Sequence, residues 1–150
     1  MQTWIKWLVL LYVVIASSEA SMVVTSVAGG LAAAIGQSYS ALDGNIYFTE
    51  WSANRISYYN IANNKTGILY SGICNGVSNA NPQDVQVLPG ASVLGKSVLF
   101  VTCRNGDLFK LEYVLVLGWI KLKVNSVNLG EPHQLQLDPV NNLACKVLFK

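Results

Sequence analysis

Short runs of alternating apolar and polar residues, cut by turn signals, constrain this chain more than any other feature. The segment 45–49 (NIYFT) opens at the turn pair Asp43-Gly44, and comparable runs lie at 55–59, 67–70, 84–88, 97–102, 107–117, 119–124 and 134–137. A period of two is typical of strands, because successive side chains point to opposite faces of a sheet. Only the glycine-bounded segment 29–36 predicts a short turn of helix. Many short strands at near-even spacing predict an all-β antiparallel architecture.

The strand pattern also repeats along the chain. The segments 82–87 (PQDVQV) and 132–137 (PHQLQL) match in residue type and lie about 50 residues apart, and Phe48-Thr49 matches Val101-Thr102 at a similar separation. A repeat of about 40–50 residues that contains several strands is typical of the blades of a β-propeller.

The motifs within these repeats resemble those of known families. The segment 43–51 (DGNIYFTEW), followed by Asn54-Arg55-Ile56, resembles the NHL-type blade of secreted propellers and the blades of the streptogramin lyase (virginiamycin B lyase) group. Segment 47–50 (YFTE) is also similar to the Tyr-Trp-Thr-Asp strand of lipoprotein-receptor propellers. The resemblance implies antiparallel four-stranded blades in units of about residues 30–75, 80–127 and 130–150. It implies no single function, because many activities share this scaffold.

Residues 1–20 have the pattern of a secretory signal peptide. A basic start is followed by the apolar run 7–16 and by small residues that end at Ala20. We expect cleavage after Ala20 and a secreted, extracellular protein of residues 21–150. The alternative is a retained membrane anchor, although the apolar run is about half of the ~20 residues that span a bilayer and Glu19 follows it. A membrane partner is expected only in that case.

The chain is too short for a closed propeller on this interpretation. About 130 residues remain after the leader, which is under three units, whereas propellers use about four to eight blades. We therefore expect an incomplete propeller: a truncated gene product, a subunit that completes its ring by oligomerising, or a stack of sheets sealed by the apolar segment near 113–124. Bare edges and faces of terminal blades associate with other chains.

Composition narrows the choice of partner. Ten Lys and Arg residues oppose eight Asp and Glu residues, so the chain offers no basic face for nucleic acid. A 52% hydrophobic and 12% charged composition also excludes a disordered chain. The expected partner is a protein, a glycan or another copy of the chain.

Three cysteines, Cys74, Cys103 and Cys145, cannot all pair within one chain. Export permits disulfides, and we favour the pair Cys74 and Cys103 because both follow strand patterns. The alternative is three small buried thiols. Asn64-Lys65-Thr66 matches the N-glycosylation pattern and lies in a polar turn.

Glu131-Pro132-His133 resembles an element at a blade start in the streptogramin lyases. The resemblance implies that Glu131 helps to hold Mg²⁺ and that His133 is the general base that opens a cyclic ester by elimination. The family's second Glu falls at Val147 here, whereas Glu50, at the matching strand position of the first unit, has Gly36 in place of the His. We therefore expect no catalysis and no cofactor, with a remnant or subunit of a Mg-dependent lyase or a lactonase-like enzyme as the alternative.

Glu50 and Trp51 end a strand at the point where the loops of a blade reach the surface of a propeller. They are candidates for ligand contact, and the favoured alternative is an ion pair between Glu50 and Arg55 beside a packed indole. The predicted function is that of a secreted propeller-repeat protein with a binding or interaction role.

Overall fold

The computed structural model describes residues 33–75, 81–124, 130, 134–137 and 145–148, and in this part of the chain every regular element is a β-strand. The strands are β1 (Ala34–Ser40), β2 (Asn45–Glu50), β3 (Arg55–Asn60), β4 (Lys65–Ser71), β5 (Pro82–Val93), β6 (Lys96–Cys103), β7 (Leu108–Val114), β8 (Gly118–Lys123), β9 (Gln134–Leu137) and β10 (Cys145–Leu148). No helix in these ranges has the length and apolarity needed to cross a bilayer. The predicted leader at 1–20 lies outside the described residues.

The strands form three antiparallel sheets. The first sheet has the order β1-β2-β3-β4 and the second the order β5-β6-β7-β8, while β9 and β10 form a two-stranded third sheet. In both larger sheets each strand pairs with its neighbour in sequence, so each is a simple meander. The all-β antiparallel architecture predicted from the alternating pattern is confirmed for the described residues.

Tight turns join the strands where the sequence has Gly and Asn. Gly44 and Asn64 adopt the left-handed conformation, with φ of 67° and 55°. Gly and Asn adopt this conformation at the lowest cost, which explains why the turns 41–44 and 61–64 reverse the chain so sharply.

The helical turn predicted at 29–36 is wrong for its last three residues, because Ala34, Ile35 and Gly36 belong to β1. Gly36 is placed against the second sheet, where an added Cβ would lie 2.5 Å from the Cα of Asp84. The Gly36 amide donates to the Thr49 hydroxyl at 2.8 Å. The small residues therefore permit the close approach of two sheets. From the sequence pattern alone, small residues of a close-packed strand are not distinguished from those of a glycine-bounded helix.

The first and second sheets pack through a shared apolar core. Its buried members are Tyr47, Ile56, Ile73, Cys74, Val85, Leu99, Val101, Cys103, Phe109 and Leu111. Complete burial of one large apolar side chain stabilises a fold by about 1.5–3 kcal/mol, so this core is the main source of cohesion between the sheets.

The equivalent faces of the first and second sheets point to the same side of the stack. Phe48 and Val101 are matched by the sequence repeat and both lie in the second strand of their sheet, yet Val101 belongs to the shared core and Phe48 to a separate cluster with Ile46. Tyr47 faces the shared core, so its neighbour Phe48 points to the opposite face of the first sheet. Matched residues therefore point the same way in both sheets, as in successive units of a repeat rather than in a face-to-face sandwich.

Contacts between the sheets concentrate on β5, which packs against β1 and β2 on one side and β9 on the other. The Val87 amide donates to the Ser38 hydroxyl at 3.0 Å, and the Leu135 amide donates to the Asp84 carboxylate at 2.8 Å. The first strands of the three sheets thus lie side by side.

The stacked sheets have two distinct ends. The turns 41–44, 61–64, 94–95 and 115–117 lie at one end, which we call the turn end. The turns 51–54 and 104–107 lie at the other, the disulfide end, where Cys74 and Cys103 are bonded with a Cα–Cα distance of 5.7 Å. The Asn54 side chain holds Cys74 by two hydrogen bonds of 3.0 Å to its backbone. This is the cysteine pair that the sequence favoured.

Candidate functional site

A polar cavity of about 300 Å³ opens between the first and second sheets at the turn end, and we call it the end cavity. Lys96 and Trp119 line it from the second sheet. The lining residues of the first sheet are Asp43, Asn45, Tyr47, Tyr58, Asn60, Asn63, Lys65 and Leu69.

Asp43 organises the wall of the end cavity. Its Oδ1 accepts a hydrogen bond from the Asn45 amide at 3.2 Å, which fixes the turn 41–44. Its Oδ2 accepts from the Tyr47 hydroxyl at 2.5 Å and from the Ser97 hydroxyl at 3.0 Å. Ser97 also shares a 2.6 Å hydrogen bond with Ser40. One carboxylate therefore joins the first sheet to the second at the base of the cavity.

Tyr47 is a fixed donor in this wall. Only 1% of the residue is exposed, and burial, followed by its hydrogen bond to Asp43, raises the pKa of the phenol above its usual value. The hydroxyl therefore keeps its proton at physiological pH and donates a hydrogen bond to Asp43, so Tyr47 supports the shape of the cavity wall and transfers no proton.

The side chain of Asn60 connects the two turns of the first sheet that lie at the turn end, 41–44 and 61–64. Its Nδ2 donates to the Asn45 side-chain oxygen at 2.7 Å and to the Asp43 carbonyl at 3.2 Å, while its Oδ1 accepts from the Asn63 amide at 3.2 Å. Asn63 Oδ1 in turn accepts from the Lys65 amide at 3.1 Å. The rim from 61 to 65 is held by these bonds, and within the described residues the Asn63 Nδ2 donates to no protein group.

Tyr58 reaches the cavity across the neighbouring strand. It pairs with Gly67 in β4, and a Cβ at Gly67 would lie 2.6 Å from the Tyr58 hydroxyl oxygen. The absence of a side chain at Gly67 is therefore what lets the Tyr58 ring cover β4 and bring its hydroxyl to the cavity.

Lys65 and Lys96 make the end cavity electropositive. Both are exposed, and no acidic side chain of the described ranges pairs with either, because the ion pairs there join Glu50 with Arg55, Glu112 with Lys110, and Asp107 with Lys123. The one cavity carboxylate, Asp43, accepts hydrogen bonds from three neutral donors, which leave its charge in place. Two ammonium groups and one carboxylate therefore line the cavity, and the lysines are in excess.

Trp119 gives the cavity an apolar wall. Its indole is half-buried and makes an edge-to-face contact with Tyr113, with ring centroids 5.8 Å apart. Such a contact fixes the orientation of the indole. The ammonium groups, amide, phenol and indole together suit a small ligand that carries a negative charge, hydroxyl groups and one flat apolar face.

A second cavity of about 360 Å³ lies at the same end, between the turn 41–44 and the β5–β6 hairpin. Its lining is mostly apolar and includes Leu42, Val87 and Leu88. Ser40 and Ser97 form part of its wall, so the hydrogen bonds of Asp43 shape both cavities.

Glu50 lies at the disulfide end, away from the end cavity. It is 1% exposed, and its two carboxylate oxygens accept bonds of 2.8 Å from Arg55, with a further bond from the Ser57 hydroxyl. The hydrogen bond to Glu50 is the main cause of the raised pKa of the Arg55 guanidinium. The ion pair weighed as the alternative for Glu50 is present, and a ligand would have to displace Arg55 to reach the carboxylate.

The other predicted site residues are not gathered into one place. Trp51 is half-buried in the turn 51–54 at the disulfide end, whereas Asn64 is exposed in the turn 61–64 at the turn end and accepts from the Tyr59 hydroxyl at 2.7 Å. Glu131 and His133 lie outside the described residues. Among the residues that are described, no group of three or more His, Cys, Asp or Glu side chains is arranged to hold a metal ion.

The sequence places Asp43 in a turn pair and gives no functional role to Tyr58, Lys65 or Lys96. No periodic signal indicates that Asp43 contacts Tyr47 and Ser97. No local signal joins Lys65 to Lys96 either, because these residues line one cavity only when the two sheets stack.

No protein-family profile matches the sequence, and no curated protein matches it either.

Proposed function

We propose that this chain is part of a β-propeller and works as an exported binding protein that holds an anionic glycan unit in the end cavity. The first and second sheets would be two blades, and the third sheet would begin another. The motif in 43–51 that resembles NHL-type and streptogramin lyase blades supports this proposal, as does the four-stranded meander of each larger sheet.

The stacking of the sheets gives further support to the propeller proposal. Blades of a propeller repeat around an axis, so matched residues point the same way and the first strands lie together nearest the axis. Phe48 and Val101 have that relation, and β5 lies between β1 and β9.

The disulfide supports export. A bond between Cys74 and Cys103 persists in oxidising compartments and is rare in the cytosol. It agrees with the leader predicted at 1–20, and the mature protein would then meet its ligand outside the cell.

The observation that carries the ligand proposal is a pair of lysines without an ion-pair partner among the described residues, beside hydrogen-bonding groups and an indole. Lys65 and Lys96 would bind the carboxylate of a sugar acid, Asn63 and Tyr58 would bind its hydroxyl groups, and Trp119 would pack against the apolar face of the ring. Charge-assisted hydrogen bonds are roughly twice as strong as neutral ones, so the acid group would dominate recognition.

An NMR titration of the full chain with glucuronate and with glucose tests this function. We expect glucuronate to shift the amide resonances of Asn63, Lys65 and Lys96, and glucose to shift them at much higher concentration. Replacing Lys65 or Lys96 by Gln should weaken glucuronate binding about tenfold, since a hydrogen bond to a charged group contributes about 1.5–3 kcal/mol.

The matched control is Lys123→Gln. Lys123 is also a lysine at a strand end, but it pairs with Asp107 near the disulfide end. This variant should bind glucuronate like the wild type. Shifts that spread over all lysines, or equal binding of glucose and glucuronate, would contradict the proposed site.

A further inference from the structure

Large exposed apolar side chains mark all four turns of the turn end. They are Leu42, Ile61, Leu94, Leu115, Val116 and Leu117. The β7–β8 turn is the most exposed, with 74% of Leu115, 89% of Val116 and 72% of Leu117 accessible to solvent. At the disulfide end, the turns 51–54 and 104–107 have no large apolar side chain of this exposure.

We infer that the turn end docks onto the surface of a lipid bilayer that contains anionic lipids. The apolar turns would enter the boundary between headgroups and acyl chains, and Lys65 and Lys96 would bind headgroup phosphates or carboxylates. The inference shares these two lysines with the proposed function, whereas the apolar turns are independent of it.

The charges at this end favour an anionic surface. Lys65 follows the turn 61–64, which carries Ile61, and Lys96 follows the turn 94–95, which carries Leu94, so each lysine begins a strand next to a turn with an exposed apolar side chain. These turns contain one acidic residue, Asp43, whose carboxylate faces Asn45, Tyr47 and Ser97, so the two lysines outnumber the acidic charge. Basic side chains behind apolar ones are the arrangement that binds proteins to anionic bilayers.

The aromatic residues agree with this orientation. Tyr113 and Trp119 form their edge-to-face pair directly behind Leu115, Val116 and Leu117 in the β7–β8 hairpin. Tyr and Trp are enriched at the depth of lipid headgroups, because their rings combine an apolar body with a polar group. Entry of the turn 115–117 would bring the pair to that depth.

A second copy of the chain fits the same surface less well. In a twofold-symmetric dimer a patch meets its own copy, so four lysines, Lys65 and Lys96 of each copy, would be brought to one interface. Like charges at such an interface repel one another. The apolar residues also lie on four separate turns, which suits insertion into a fluid boundary.

An environment-sensitive dye at position 116 tests the inference on the full chain. The dye would be attached to Val116→Cys in a chain with Cys145→Ser, which leaves the Cys74–Cys103 bond intact. We expect a blue shift with vesicles of phosphatidylcholine mixed with phosphatidylserine, and a much smaller one with phosphatidylcholine alone. The control dye at Ser52→Cys, in a turn of the disulfide end, should show no shift. Because the readout is local, attachment of the chain through its N-terminal segment alone leaves the dye at 116 in water and overturns the inference.

A double variant separates this inference from the glycan site. The chain with both Leu115→Ser and Leu117→Ser should bind vesicles about tenfold or more weakly, because two large apolar side chains are no longer transferred from water into the bilayer. Its glucuronate binding should be unchanged.

A wild-type chain that docks on vesicles but does not bind glucuronate would overturn the glycan proposal and leave docking supported. A dye shift that needs no vesicles and grows with protein concentration would show self-association instead and contradict docking. A glycan found on Asn64 of the secreted chain would also contradict it, since that glycan would cover the turn end.

Discussion

The carboxylate of Asp43 in the first sheet accepts a hydrogen bond of 3.0 Å from the hydroxyl of Ser97 in the second sheet. The same carboxylate oxygen accepts from Tyr47, so one oxygen connects a turn, a core side chain and the neighbouring sheet. The end cavity lies beside this junction, and its shape depends on it.

Asp43→Asn should lower the free energy of unfolding by about 2 kcal/mol, because an amide replaces a carboxylate that accepts several hydrogen bonds. Urea unfolding followed by tryptophan fluorescence measures the change. Glu112→Gln is the control, since Glu112 pairs only with Lys110 on a partly exposed strand, and it should cost less than about 0.5 kcal/mol. Tyr47→Phe should cost less in the Asp43→Asn chain than in the wild type, and equal costs would show that the two side chains do not interact.

Gly36→Ala should destabilise the chain by about 1–3 kcal/mol, because the new methyl group would meet the backbone of Asp84 at 2.5 Å. Gly118→Ala separates this steric effect from backbone strain. Gly118 has φ of 74° with open space around it, so its substitution should cost about 1 kcal/mol. A Gly36→Ala chain as stable as the wild type would contradict the close approach of β1 and β5.

Replacement of both Cys74 and Cys103 by Ser should cost about 2–4 kcal/mol, chiefly because the unfolded chain regains the freedom of a loop that spans 29 residues. Cys145→Ser is the control and should leave the bond unaffected. A thiol assay on the unfolded, unreduced secreted protein should find a single reactive thiol per chain. Three reactive thiols would instead support the alternative of three buried cysteines.

Asp84 should make stability depend on pH between about 4 and 6. Burial raises the pKa of this carboxyl from 3.8 to about 6, although the amides of Leu135 and Val85 and the side chain of Gln86 oppose the shift. In that window the folded state binds more protons than the unfolded state, so the free energy of unfolding falls as pH rises and levels off above about 6. A shift of this size corresponds to about 3 kcal/mol.

Denaturant unfolding at a series of pH values checks the contribution of Asp84. The difference in stability between the wild type and Asp84→Asn should change across the window, whereas Gly118→Ala, which changes no titratable group, should run parallel to the wild type. An identical pH dependence in wild type and Asp84→Asn would contradict the assignment.

The strands of the first sheet were predictable where the chain provides both alternation and a turn pair. The runs at 45–49 and 55–59 anticipated β2 and β3 to within one residue, because Asp43-Gly44 and the polar turn 51–54 bound them. The sequence did not predict β1 because its residues Ala34 and Gly36 are small. Gly36 has no room for a side chain because the backbone of Asp84 lies next to it. Such a tertiary cause leaves no periodic signal in the sequence.

The candidate site was far less predictable than the sheets. Glu50 was singled out because a charged residue ends a strand, yet its position across from Arg55 gives it a partner within its own sheet. Lys65 and Lys96 lie in different sheets, and their common role depends on the direction in which the sheets stack. A sequence pattern fixes the faces of a strand, but it does not fix which face of one sheet meets which face of another.

Nuclear Overhauser effects between side chains report the direction in which the two sheets stack. We expect cross-peaks that connect the Tyr47 ring and the Ile56 methyl groups with the methyl groups of Leu99, Val101 and Leu111. We expect none between the Phe48 ring and the Val101 methyl groups. Cross-peaks between Phe48 and Val101, with none from Tyr47 to the second sheet, would show a face-to-face sandwich and rule out this direction of stacking.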